Sequence, residues 1–220
     1  MKWILDAKPS LPKLVKFAAG WYLPYRLSLR PNKQLVYLLL ERDSMYSKGL
    51  AVGLDLGCGR MANRPIFQTD VYYGIEVDAA ALERGQKKHP EAVAVLSNIE
   101  ETQKYPNGDF VVCVQVFHNR HFNVSRTLEA VVAIVGKVNT GGNLLINFGR
   151  ANGLYADAIE NILLSNFTDV LKTANPLSGS QTVLAPLVAA RYLNGRGGRT
   201  INVGCAEKIY FRCLGKRAQK

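Results

Sequence analysis

The 220-residue chain predicts an α/β fold built on a mainly parallel sheet. Three features predict it. From Leu50 onward, short apolar runs alternate with stretches of helical length and periodicity. The longest run, Asp109–Phe117, is almost continuously apolar, as expected of a strand covered on both faces. The first run, Ala51–Leu56, ends in Gly57-Cys58-Gly59, a strand-to-loop turn that lets a ligand approach the backbone closely.

The elements follow in order. Residues 1–49 read as helical and amphipathic, broken by Pro9, Pro12, Pro24 and Pro31, with Trp3, Phe17, Trp21, Tyr22 and Tyr25 interleaved among Lys13, Lys16, Arg26 and Arg30. Within them, Leu35–Leu40 suits a buried helical turn. Ala51–Leu56 is the first strand and Val71–Val77 the second, entered from Gln68-Thr69-Asp70. Ala79–His89 is a helix stopped by Pro90, and Ala92–Leu96 a third strand. After the fourth strand, Asp109–Phe117, a helix over Val124–Val138 places Leu128, Val131, Val132 and Val135 at apolar positions. Gly141-Gly142 reads as a turn before a fifth strand, Asn143–Phe148. Tyr155–Leu164 is a helix and Phe167–Lys172 a sixth strand. Residues 174–206 interrupt the rhythm with a helix over Val183–Leu193 and the loop Asn194-Gly195-Arg196-Gly197-Gly198-Arg199. Glu207–Leu214 alternates as a seventh strand. The chain thus divides into a segment 1–49 and a domain 50–220 with an insertion at about 174–206.

Composition narrows the class. Hydrophobic residues at 48% and charged residues at 20% are ordinary globular usage, which excludes disordered, collagen-like and disulfide-scaffold descriptions of the whole chain. No apolar run approaches the roughly 18 residues that span a bilayer, and the opening apolar stretch is too short for a signal peptide, so a cytoplasmic protein is expected. Cys58, Cys113, Cys205 and Cys213 lack CxxC spacing and are expected to be free, buried thiols, with no metal site. The net charge is +11, unevenly spread. Residues 1–49 hold nine Lys/Arg against three Asp/Glu, and residues 191–220 eight against one, while the middle holds eleven against thirteen. A basic surface at the two ends suits an acidic partner, although solvated faces explain most such patches.

The chemistry gathers around the first two strands. Asp55 is a carboxylate inside an otherwise apolar strand and requires something that satisfies it. Glu76 ends the second strand, 21 residues after Asp55, where a carboxylate suits two ribose hydroxyls. Phosphate binding by the glycine loop is an alternative at this point. So are the plainer readings: Asp55 as a satisfied structural acid, Glu76 as a solvated strand-end acid and Cys58 as merely small. His118 and His121 follow the fourth strand on the side where parallel sheets bind ligands. An imidazole there suits removal of a hydroxyl proton, and loop packing is the competing explanation.

These residues carry a resemblance to class I S-adenosyl-L-methionine-dependent methyltransferases of the small-molecule type. Leu54–Gly59 (LDLGCG) resembles that family's first motif, and Tyr73–Asp78 (YGIEVD) its second. Ser97–Glu101 (SNIEE) falls at its adenine-contacting loop, Asp109–Asn119 (DFVVCVQVFHN) resembles its fourth-strand motif, and Gly136–Ile146 the helix–GG–strand segment that follows. The matches run in order over about residues 50–150. The resemblance implies a Rossmann-like methyltransferase sheet of about seven strands, with helices on both faces and the last strand antiparallel beside the fifth. It implies S-adenosyl-L-methionine as donor. The implied donor contacts are Asp55, Gly57, Cys58 and Gly59 from the first loop, Glu76 on the ribose with Val77 beside it, Asn98 and Ile99 at the adenine, and Gln115 at the end of the fourth strand. Met61 stands where the family often has a third glycine, and Asn98 where it often has Asp. No Asn/Asp-Pro-Pro-Tyr motif follows the fourth strand, which disfavours nucleobase amino-methylation of the kind associated with that motif.

Transfer from a sulfonium needs an oriented acceptor and, for an alcohol, removal of its proton. The expected reaction is therefore O-methylation of a small acceptor, anionic or carrier-linked, in a biosynthetic pathway, with His118 or His121 as base. Segments 1–49 and 174–206 lie outside the matched core and are expected to bind the acceptor as a lid. Alternatives are N-methylation of a small molecule, RNA methylation using the basic ends, and a non-catalytic binding protein. Docking of the basic, aromatic N-terminal segment on an anionic membrane surface is a further expectation.

Overall fold

The computed structural model describes residues 31–117, 122–149, 155–175 and 208–218. The first element is a helix, α1 (Pro31–Asp43), followed by a 3₁₀ turn, Ser44–Ser47. Then come β1 (Val52–Leu56), β2 (Val71–Glu76), α2 (Ala79–Lys88), β3 (Val93–Leu96) and β4 (Gly108–Phe117). After these come α3 (Val124–Gly136), β5 (Val138–Gly149), α4 (Ala156–Asn166), β6 (Phe167–Asn175) and β7 (Lys208–Lys216). Seven strands form one sheet in the order β3-β2-β1-β4-β5-β7-β6. Neighbours from β3 through β5 pair in parallel, and β7 runs antiparallel to both β5 and β6. This is the Rossmann-like methyltransferase sheet, with its antiparallel strand beside the fifth. The expected helix at Val183–Leu193, the Gly/Arg loop, Cys205, and the aromatic and basic residues of 1–30 lie outside the described residues.

Alternation along the strands builds two cores. On one face Leu54, Leu56, Val111, Cys113, Leu144 and Ile146 pack with α3 through Ala130, Val131, Ile134 and Val135, and with α4 through Ile159 and Leu163. On the other, Phe110, Val112, Val114 and Leu145 pack with Leu82 of α2 and with Val36, Leu38, Leu39 and Leu40 of α1. Three successive buried leucines sweep about 200° of a helix, so α1 is enclosed over more than one stripe. Its C-terminus is pinned by Asp43, which accepts from Arg42 Nε and Nη2 at 2.6 and 2.7 Å and from the Tyr210 hydroxyl of β7 at 3.1 Å.

One boundary differs from expectation for a clear reason. The turn predicted at Gly141-Gly142 lies inside β5. Gly108 pairs with Val138 and Phe110 with Asn143, so β5 carries extra residues there and bulges. Gly141 takes a φ of +80°, and a Cβ on Gly142 would stand 2.9 Å from the Asp109 carbonyl oxygen, so the two glycines allow the bulge to pass against β4. Cys58, Cys113 and Cys213 are free and buried. Among the described residues no helix is long and apolar enough to cross a membrane, and no His/Cys/Asp/Glu cluster is arranged to hold a metal.

Candidate active site

The chain builds β1, β2 and β3 outward in one direction, then returns to place β4 on the other side of β1. The strand order therefore reverses between β1 and β4, where open parallel sheets bind ligands beyond their carboxyl ends. A pocket of about 340 Å³ lies there. It is lined by Gly57 after β1, Glu76 and Val77 after β2, Ser97, Asn98 and Ile99 after β3, Gln115 and Val116 of β4, and Phe122 and Arg126 at the start of α3.

Gly57 lies at the point of reversal. Its φ is +73°, its N–H donates to the Ile75 carbonyl at 2.8 Å, and a Cβ on it would stand 2.4 Å from Val116 Cγ2. No other residue fits this position without displacing the β4 wall. Glu76 ties this loop to β2. Its Oε2 accepts from the Gly59 N–H at 2.8 Å, and its Oε1 from the Val77 and Asp78 N–H groups at 2.8 and 3.0 Å. Asp78 in turn caps α2 by accepting from the Ala81 N–H. One carboxylate thus organises the glycine loop and the end of β2 around the pocket.

Asp55 and Cys58 lie behind that loop and do not line the pocket. Asp55 is 1% exposed, accepting from the Tyr72 hydroxyl at 2.8 Å and from Asn63 Nδ2 at 3.2 Å. These two groups supply the partner that a carboxylate in an apolar strand requires. Burial pushes the Asp55 carboxyl up to about 6, against the hydrogen bonds from Tyr72 and Asn63, which favour ionisation. Burial likewise pushes the Cys58 thiol far above the ordinary thiol range, so it is held neutral beneath the loop. The raised Asp55 pKa makes a testable statement. Its stabilising contribution is fully present below about pH 4 and is lost as pH rises through about 6. Asp55→Asn removes this titration. The stability of wild type relative to that variant is expected to fall by up to about 3 kcal/mol between pH 4 and 7, read from urea unfolding at each pH.

The wall after β3 is a network. Asn98 Oδ1 accepts from the Glu100 N–H at 3.2 Å, and its Nδ2 donates to Glu100 Oε2 at 3.1 Å. Glu100 also receives Arg126 through Nε at 2.9 Å and Nη2 at 2.7 Å. This bidentate pairing holds the Glu100 carboxyl below the usual carboxylate range. The Arg126 guanidinium also lies 5.1 Å from the centre of the Phe122 ring. Tyr105 donates from its hydroxyl to the Ile99 carbonyl, fixing the far end of the loop.

Of the residues predicted from sequence, Gly57, Glu76, Val77, Asn98, Ile99 and Gln115 come together in the pocket, and Gly59 joins them through Glu76. His118 and His121 lie outside the described residues. Arg126, Phe122 and Val116 were missed as pocket residues. Arg126 had no signal at all, because its place depends on the start of α3 returning to the loop after β3.

The sheet order and the position of this pocket define the class I methyltransferase fold. Residues 54–146 match the family described as a methyltransferase domain. Among solved structures, the chain is similar to the N-methyltransferase NodS from Bradyrhizobium japonicum WM9 in complex with S-adenosyl-L-homocysteine. The identity is 14% and the TM-score 0.61, over 93% of this chain and 97% of that one. It is also similar to a SAM-dependent methyltransferase from Archaeoglobus fulgidus (17% identity, TM-score 0.52, 82% and 93% covered) and to an rRNA methylase from Streptococcus thermophilus (14%, 0.50, 81% and 95%). No curated protein sequence matches the chain. Residues 54–146 thus carry a methyltransferase domain on the class I fold, whose methyl donor is S-adenosyl-L-methionine. The residues present suit that donor: a strand-end carboxylate for a ribose, an apolar slot at Val77 and Ile99 for a base, and a glycine loop that gives the remainder access to backbone.

Proposed function

We propose that the protein methylates a hydroxyl group of a small, anionic acceptor. One observation carries the proposal. The segment 118–121 is bounded on both sides by the pocket: Val116 lines it just before, Phe122 lines it just after, and the Phe117 and Phe122 rings stand 5.0 Å apart. His118 and His121 belong to this short connection in sequence, and this supports one of them as the base.

When bound, S-adenosyl-L-methionine supplies a methyl group already activated on a sulfonium. The chain's own residues then have three tasks. Glu76 and the loop after β3 orient the donor, Gly57 and Val116 close the space beneath it, and a neutral imidazole of His118 takes the hydroxyl proton as the oxygen–carbon bond forms. His121 is the reserve for that role. The excess of Lys and Arg in residues 1–49 and 191–220 supports an anionic acceptor, drawn towards the domain by those ends.

The test is transfer from methyl-tritiated S-adenosyl-L-methionine to a panel of small hydroxy acids, their amine counterparts and bulk RNA. Label on a hydroxy acid is the expected result. Label confined to amines would overturn O-methylation, and label confined to RNA would overturn the small acceptor.

A further inference from the structure

We infer that Asn147 is a positioning residue for the pocket: with one carbonyl oxygen it holds Gln115 in a left-handed conformation, and so sets the wall formed by Gln115 and Val116. The inference rests on the donor site described above. Gln115 has a φ of +61°, shared in kind by Met61 alone among the described non-glycine residues. That conformation disfavours an ordinary residue by about tenfold in an equilibrium. It persists only where the surroundings over-determine it.

The surroundings are specific. Cys113 of β4 pairs with Ile146 of β5, and Phe117 with Phe148, so four steps along β4 match two along β5. β4 therefore bulges between them, and the ladder offers Gln115 no regular partner. Asn147, at the centre of that interval on β5 and 1% exposed, supplies one instead. Its Oδ1 accepts the Gln115 backbone N–H at 2.7 Å and lies 3.4 Å from Gln115 Nε2. A buried amide at this place in a sheet interior is costly unless it is used. The side-chain contact turns the Gln115 nitrogen to Asn147. Oε1 is left buried without a protein partner, on a residue that lines the pocket. Val116 comes next, and its Cγ2 fills the space over Gly57. Without the Asn147 oxygen, the Gln115 N–H is unpaired and the residue relaxes towards extended backbone. Because successive side chains alternate, that relaxation carries Val116 off Gly57 and re-aims Oε1.

Titration of the 220-residue chain with S-adenosyl-L-homocysteine, well below the unfolding temperature, tests this. Asn147→Ala is expected to weaken binding about tenfold. In the Gln115→Gly background the same substitution is expected to change affinity by less than about twofold, a rescue that follows because glycine adopts the left-handed conformation unaided. Gln115→Gly alone is the reference for that comparison, since it also removes what the Gln115 side chain itself contributes to the pocket. A residue that merely stabilises the fold lowers the melting temperature without this rescue. Affinity within about twofold of wild type in Asn147→Ala, or an equal loss with and without Gln115→Gly, would overturn the inference. Hydrogen exchange of the Gln115 amide in wild type needs no variant. Protection like that of neighbouring ladder amides is expected, and exchange at an open-chain rate would overturn the clamp. Absence of binding by wild type would instead count against the donor site, and the amide exchange would still judge the clamp.

Discussion

His118→Ala is expected to lower turnover about 10²- to 10⁴-fold while leaving affinity for S-adenosyl-L-homocysteine unchanged. The split follows from the separation of tasks. In the proposed reaction the ends of β1, β2 and β3 hold the donor, whereas His118, next in sequence after the last residue of β4, acts on the acceptor alone. Only a neutral imidazole takes a proton, so activity is expected to rise with pH as the ring loses its own. That rise should vanish in the variant that lacks the base. His121→Ala serves as the parallel measurement and takes over the prediction if the turn presents that ring instead. Wild-type turnover in both single variants and in the double variant would remove the general base altogether. The acceptor would then have to be nucleophilic already, as an amine is.

Glu76→Ala is expected to weaken binding of S-adenosyl-L-homocysteine about 10²-fold, measured by calorimetric titration. Two hydrogen bonds from ribose hydroxyls to a carboxylate contribute roughly 1.5 kcal/mol each at the lower end of the usual range, and tenfold in affinity is about 1.4 kcal/mol. The loss has a second source. Glu76 accepts from the N–H groups of Gly59, Val77 and Asp78, so its removal also releases the glycine loop from β2. Glu76→Gln separates the two contributions. The amide oxygen still accepts one set of hydrogen bonds, but its nitrogen faces backbone donors, so an intermediate loss is expected. Unchanged affinity in Glu76→Ala would defeat the ribose assignment.

Much of this architecture was legible because the strands alternate in a way that only a covered sheet explains. Phe110, Val112 and Val114 face one core and Val111 and Cys113 the other, which is why Asp109–Phe117 reads as nearly continuous apolar sequence. Asp55 was legible as a residue needing a partner, but not which one. Tyr72 and Asn63 sit 17 and 8 residues away and meet it only once β2 and the loop that leads into it are in place. The left-handed turn at Gln115 left no mark, since Gln carries no turn signal and its support comes from a different strand. The pair Gly141-Gly142 gave a misleading mark: glycines in sequence indicate a break, and here they permit a bulge within one long strand.

The position of β7 governs how this sheet is made. β6 pairs with β7 alone, and the outer side of β5 also pairs with β7, so residues 208–216 complete two strands that precede them. A chain leaving the ribosome therefore shows the Leu144–Gly149 edge, rich in buried apolar side chains, long before its partner has been synthesised. An open apolar edge of this kind is a template for pairing between nascent chains. A message interrupted before the codon for Lys208 leaves it open permanently, whatever the state of the donor pocket on the other half of the sheet.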